Sequence, residues 1–311
     1  MRWRSNIIRP VTGTLAPVWL LAGVLLASCS AGPAGPSAPG ALQVIAAENA
    51  WGSIAAQLGG THVSVTSIGT NPNADPHEYE SNPADARAFA TADYVILNGA
   101  GYDDWATRLL DANPNAGRRT FTIAQLLGVR QGDNPHAWYQ PDWVERVADR
   151  ITADYKSLDS ADAVYFDQQR HAFRAALKPY QDRIAAIRDQ FGGTPVGATE
   201  SIFVYLAGAL GVNLISPPRF MQAVSQGNDP PAQDVTTFNA QIKNREIKVL
   251  VYNEQTSTAV TTTLRHLAAQ EKIPVVGISE TLHPPGASFQ QWQLAQLVTL
   301  QDALTAGTAS R

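Results

Sequence analysis

From residue 42 onward, short apolar runs alternate with amphipathic stretches. Residues 42–47, 63–68, 94–97 and 120–123 are apolar runs of strand length, which predicts four buried strands. Between them, 50–58 reads as a helix stopped by Gly59-Gly60, 83–91 as a helix opening on a proline, and 103–112 as a third. The same alternation returns near Pro195. Runs at 196–198, 212–215, 249–252 and 275–278 predict strands, and 201–210, 232–243, 258–270 and 290–303 predict helices. Strand–helix alternation in both halves predicts an α/β fold of two (β/α) lobes, each a four-stranded, mostly parallel sheet covered by helices.

A different period separates the halves. Phe166, Phe173, Leu177, Tyr180, Ile184, Ile187 and Phe191 recur at steps of seven, four, three, four, three and four. They form one apolar stripe on a helix of about 30 residues, roughly 45 Å long. The stripe spans few heptads, which favours a rigid strut between lobes over a coiled-coil dimer. Pro179 lies inside it and is expected to kink or split the helix.

The N-terminal pattern is of another kind. Arg2, Arg4 and Arg9 precede an apolar run from residue 15 to 27, too short for a confident membrane span and shaped like a signal sequence. It ends in Leu26-Ala27-Ser28-Cys29, similar to a bacterial lipobox, in which the cysteine is lipidated and becomes the mature N-terminus. Residues 30–40 are rich in Gly, Pro, Ala and Ser, which suits a flexible tether. The expected organisation is a signal peptide (1–28), lipidated Cys29 and tether (29–41), first lobe (42–160), linking helix (161–192) and second lobe (193–311). Cys29 is the only cysteine, so no intramolecular disulfide is possible. The net charge of −4 gives no hint of nucleic-acid binding.

Two segments carry the candidate chemistry. Asp75-Pro76-His77-Glu78-Tyr79 and Asn134-Pro135-His136-Ala137-Trp138 each set a proline before a histidine and an aromatic two places after it. Proline fixes its own φ and restricts its predecessor, so the loop reaches the imidazole stiffened. His77 follows the second strand and His136 the fourth. Glu200 and Glu280 follow strands of the second half, and ligands of open α/β sheets collect beyond the carboxyl ends of strands. Two imidazoles and two carboxylates would then converge between the lobes, and the carboxylates would neutralise a divalent cation. His171 and His266 fall on predicted helices and are expected at the surface. His62 has no comparable setting. His283, three residues after Glu280, is the rival fourth ligand.

The chain resembles the cluster A-I substrate-binding proteins of zinc and manganese ABC importers. The resemblance rests on residues 75–80, Pro135 to Trp138, residues 200–205 and Ser279-Glu280-Thr281-Leu282, together with the long central helix. It implies two lobes joined by a rigid helix, one buried Zn2+ or Mn2+ carried as transported ligand, and His77, His136, Glu200 and Glu280 at the ligand positions. It further implies a monomer, lipid-anchored outside the cytoplasm, that delivers to an ABC permease and is not an enzyme. Three departures leave both metals open: no His-rich loop follows the first ligand, Glu200 stands where many zinc members have histidine, and Glu280 where aspartate is common. Two imidazoles with two carboxylates suit either ion. A zinc hydrolase and a metal-stabilised surface adhesin are the alternatives. No His-Glu-x-x-His or Gly-x-Ser-x-Gly segment supports the hydrolase.

Overall fold

The structure, a computed structural model, describes residues 40–309, so the signal sequence, Cys29 and most of the tether lie outside the described residues. The first half runs β1 (Leu42–Glu48), α1 (Asn49–Gly59), β2 (Val63–Gly69), α2 (Pro83–Thr91), β3 (Tyr94–Leu97), α3 (Asp104–Ala112), β4 (Arg119–Thr122), α4 (Ile123–Leu127) and α5 (Pro141–Leu158). Helix α6 (Ala163–Phe191) follows. The second half runs β5 (Pro195–Ala198), α7 (Val204–Leu210), β6 (Asn213–Leu214), α8 (Pro218–Ser225), α9 (Ala232–Lys243), β7 (Leu250–Asn253), α10 (Ala259–Gln270), β8 (Val275–Ile278) and α11 (Phe289–Ala309). The strands form two four-stranded sheets, ordered β2-β1-β3-β4 and β6-β5-β7-β8, with every pairing parallel.

Strand periodicity sorts side chains between layers. Val44, Ala46, Tyr94 and Ile96 face one core, while Ile45, Ala47, Val95 and Leu97 face a smaller one with Phe89 and Trp105. In β7, Val251 faces the first core and Leu250 a third one, beside Phe220, Phe238 and Leu264. The largest core is continuous across both halves. It joins Trp51 and Ile54 of α1, Val147 and Ile151 of α5, the whole α6 stripe, Val196 and Ile278 of the second sheet, and Trp292 and Leu300 of α11.

Helix α6 runs unbroken through Pro179, so of the kink or split expected from the sequence, the split does not occur. Pro179 lies on the exposed side. Ala175, whose carbonyl loses its N–H partner there, is itself an exposed residue, so water can replace the missing bond at little cost. Helix α11 runs past the predicted end at residue 303 to Ala309. Gly307 permits this, because a Cβ there would lie 2.0 Å from the Lys248 carbonyl oxygen. Helix α5 opens at Pro141, where the Gln140-Pro141 pair marks a helix start in the sequence, and α8, which the apolar pattern left undrawn, likewise opens on a proline, Pro218.

Candidate metal centre

The two Asx-Pro-His segments fold alike, for a local reason. In the first, Asp75 Oδ1 accepts the His77 backbone N–H at 2.9 Å. In the second, Asn134 Oδ1 accepts that of His136 at 3.1 Å. Each is an Asx turn followed by proline, which delivers the imidazole at a set angle. Asn134 Oδ1 also accepts from His136 Nδ1 at 2.7 Å. The proton therefore sits on Nδ1, and the Nε2 lone pair points away from Asn134. Glu200 and Glu280 follow β5 and β8 directly.

All four side chains meet. One donor atom from each of His77, His136, Glu200 and Glu280 lies within 4.8 Å of the others. Glu280 Oε2 is 3.4 Å from both His77 Nε2 and His136 Nε2, and Glu200 Oε1 is 3.6 Å from His136 Nε2. His136, Glu200 and Glu280 are buried, whereas the His77 side chain keeps 22% of its surface. His77 and Tyr102 line a cleft of about 860 Å3 bordered by Asn134, Trp143, Tyr205 and Met221.

The other histidines stand apart. His171, His266 and His283 are exposed and lie outside the cluster. His62 pairs with Asp162 at 2.6 Å and, with Asp159, forms a partly exposed group at the start of α6.

Burial makes the charges of this cluster costly. It drives the Glu200 carboxyl well above the ordinary range, and the neighbouring Glu280 charge adds to the rise. Burial also opposes charge on Glu280, but the His77 and His136 imidazoles and the Tyr102 hydroxyl outweigh it and hold that carboxyl at about 2. Burial pushes the His136 imidazole down, so it is neutral at neutral pH. Three buried atoms, His77 Nε2, His136 Nε2 and Glu200 Oε1, have no hydrogen-bond partner. A buried polar atom left bare costs about 1–3 kcal/mol. These three atoms face one another beside one further carboxylate, that of Glu280, four donors of the kinds that could hold a divalent cation.

Several supporting residues were not singled out from sequence. Asn253 Nδ2 donates to Glu200 Oε2 and to Glu280 Oε1, both at 2.6 Å. Tyr102 donates its hydroxyl to Glu280 Oε2 at 2.6 Å. Gln255 Oε1 accepts the backbone N–H of Glu280 at 2.7 Å, while its Nε2 donates to the Ala74 carbonyl at 2.9 Å, tying the second half to the His77 loop. Thr256 donates to Asp75 Oδ2 at 3.0 Å. Tyr102, Gln255 and Thr256 lie beyond the ends of β3 and β7, and Asn253 closes β7, so their place at carboxyl ends of strands was a signal available in sequence.

This fold and site, two parallel α/β sheets and a buried four-residue donor cluster, define a metal-binding α/β protein. The chain belongs to the ZnuA family, described as zinc-uptake complex component A, periplasmic, whose family model matches residues 44–303. It is 25% identical over 265 residues to the manganese-binding lipoprotein MntA of Bacillus subtilis, covering 79% of this chain and 81% of that one. It is 23% identical over 260 residues to the manganese ABC transporter substrate-binding lipoprotein PsaA of Streptococcus pneumoniae, covering 76% and 80%. Its fold matches the periplasmic zinc binding protein TroA from Treponema pallidum with a TM-score of 0.73 at 15% identity, over 85% of this chain and 99% of that one.

Proposed function

We propose that this protein is the solute-binding lipoprotein of an ABC importer, capturing zinc or manganese outside the cytoplasm and delivering it to a membrane permease. The observation that carries this reading is the convergence of the unpartnered His77 Nε2, His136 Nε2 and Glu200 Oε1 with Glu280 Oε2. These four are the ligands in this reading. Lobes 42–160 and 193–311 each supply two of them across the 161–192 linker. The names of the similar lipoproteins favour transport over hydrolysis. So does the donor count, since a catalytic zinc keeps one of its four positions for water. Cys29 is the membrane anchor, and several acyl chains on one cysteine hold a protein at a membrane where one does not.

The test is a titration of chelator-stripped protein with zinc and with manganese. Alanine at His77, His136, Glu200 or Glu280 weakens binding at least about tenfold, since even partners one step removed from a metal cost that much. Alanine at His171 or His266 leaves it unchanged. Wild-type affinity in any of the four variants removes that residue from the site. If His283→Ala weakens binding while Glu280→Ala does not, the fourth ligand is His283.

A further inference from the structure

We propose that Asn253 and Tyr102 restrict each carboxylate of this site to one metal-facing oxygen, fixing the site at four-coordination and biasing it toward a zinc-like rather than a manganese-like cation. The inference rests on the metal-binding reading above and adds to it which ion the geometry selects.

A carboxylate can ligate through one oxygen or both, and that choice sets the coordination number that two imidazoles and two carboxylates reach. Glu280 Oε1 is held by Asn253 Nδ2 at 2.6 Å, and Glu280 Oε2 both accepts from Tyr102 at 2.6 Å and faces the two imidazoles. Glu200 Oε2 is held by the same Asn253 amide at 2.6 Å, which leaves Oε1 facing His136. One buried amide thus occupies the outer oxygen of both carboxylates.

Asn253 cannot turn over to release them. Its Oδ1 accepts the Gln255 backbone N–H at 3.0 Å, and its Nδ2 lies 3.1 Å from Thr256 Oγ1. A reversed amide would lose the first bond and set its oxygen against two carboxylate oxygens. Tyr102 holds Oε2 itself, so the Glu280 carboxylate cannot rotate to bring Oε1 toward the imidazoles without losing both this bond and the one from Asn253.

Chelation by either glutamate would break a charge-assisted bond in a buried setting. What remains is two nitrogens and two single oxygens, the tetrahedral arrangement that zinc accepts. Manganese prefers six donors, mostly oxygen.

Zinc outranks manganese at most nitrogen–oxygen sites, so a wild-type preference alone decides nothing. The informative quantities are coordination number and the change in the zinc-to-manganese affinity ratio. Stripped wild-type protein, Asn253→Ala and Tyr102→Phe are loaded with Co2+ and titrated separately with Zn2+ and Mn2+. Wild type gives the intense visible absorption of four-coordinate cobalt. Asn253→Ala loses that intensity and moves the ratio about tenfold toward manganese, the size of one charge-assisted hydrogen bond. Tyr102→Phe keeps the ring and moves both readouts the same way by less; it carries the test alone if Asn253→Ala does not fold. Weak, six-coordinate cobalt absorption in wild type overturns the proposal. So does an unchanged ratio in the variants that fold. If wild type binds none of the three ions, the transport reading fails as well; if it binds them and only the ratio stays fixed, this inference alone falls.

Discussion

Replacing Asn134 with alanine tests how the second histidine is aimed. Asn134 Oδ1 holds His136 by its backbone N–H and by Nδ1, and Asn134 Nδ2 donates to the Ser201 carbonyl at 2.7 Å, one residue beyond Glu200. One side chain thus sets the imidazole tautomer and ties the His136 loop to the Glu200 loop. Removing a residue that orients a metal-bound histidine costs about 10–100-fold in affinity, or about 1.4–2.7 kcal/mol. Loss of the Ser201 bond costs the metal-free protein about 1 kcal/mol, a fall of about 2–4 °C in Tm for a chain of this size. Asn134→Asp separates the two effects. It keeps the acceptor facing His136 and loses the donor to Ser201, so affinity stays near wild type while the metal-free protein melts lower. Calorimetric titration and metal-free melts of both variants give the answer. The reasoning is refuted if Asn134→Ala binds zinc like wild type, or if Asn134→Asp loses as much affinity as Asn134→Ala.

Zinc at about a hundred times its dissociation constant stabilises the protein by about 2.7 kcal/mol near neutral pH. Protons compete for the imidazoles as pH falls below about 6.5, so the metal-induced rise in Tm shrinks at about pH 5; an equal rise at both values argues against histidine ligation. Glu48 is buried, and burial first and Asp103 second push its carboxyl well above the ordinary range. A raised carboxyl contributes stability that is fully present below the unfolded value, about 4.3, and is lost as pH rises through the folded one. Glu48→Gln removes that loss, so metal-free variant and wild type diverge in the variant's favour with rising pH; parallel stability curves show Glu48 to be ionised already. Cys29→Ala moves the protein from the membrane to the soluble fraction with zinc affinity intact, and undiminished membrane retention excludes Cys29 as the anchor.

Much of the fold was legible because its signals are local. Strands β3 and β8 and helices α2 and α9 have the bounds that their apolar runs and caps predict. Helix α2 shows why: Asn82 and Asp85 form a capping box ahead of Pro83. Of the four proposed ligands, the two histidines were legible through repetition, as two Asx-Pro-His turns of one design, and the two glutamates through their place just after strands. Their supports were not. Tyr102 finds Glu280 across 178 residues and Asn253 finds Glu200 across 53. The place of Tyr102 and Asn253 at strand ends was visible, but a lone tyrosine in a loop or an asparagine closing a strand does not show which distant side chain it meets. The continuity of α6 through Pro179 depends on which side of the helix meets water; the stripe predicted one long helix, and the proline alone was the reason to expect a kink or a split.

The continuous core has a consequence for the chain as a heritable unit. The α6 stripe, α1, α5, the second sheet and α11 are packed in one apolar body. Neither half separates with a complete interior: cutting after residue 192 takes the α6 stripe away from α7 and α11, which pack against it. The two halves look like a duplicated β/α unit in topology, yet neither is a portable module. Exchange of one half between relatives has to carry the matching face of α6 with it, whereas exposed loops that hold neither core nor site residues are free of that demand. Diversification in such a protein therefore favours those loops, while its interior changes only as a whole.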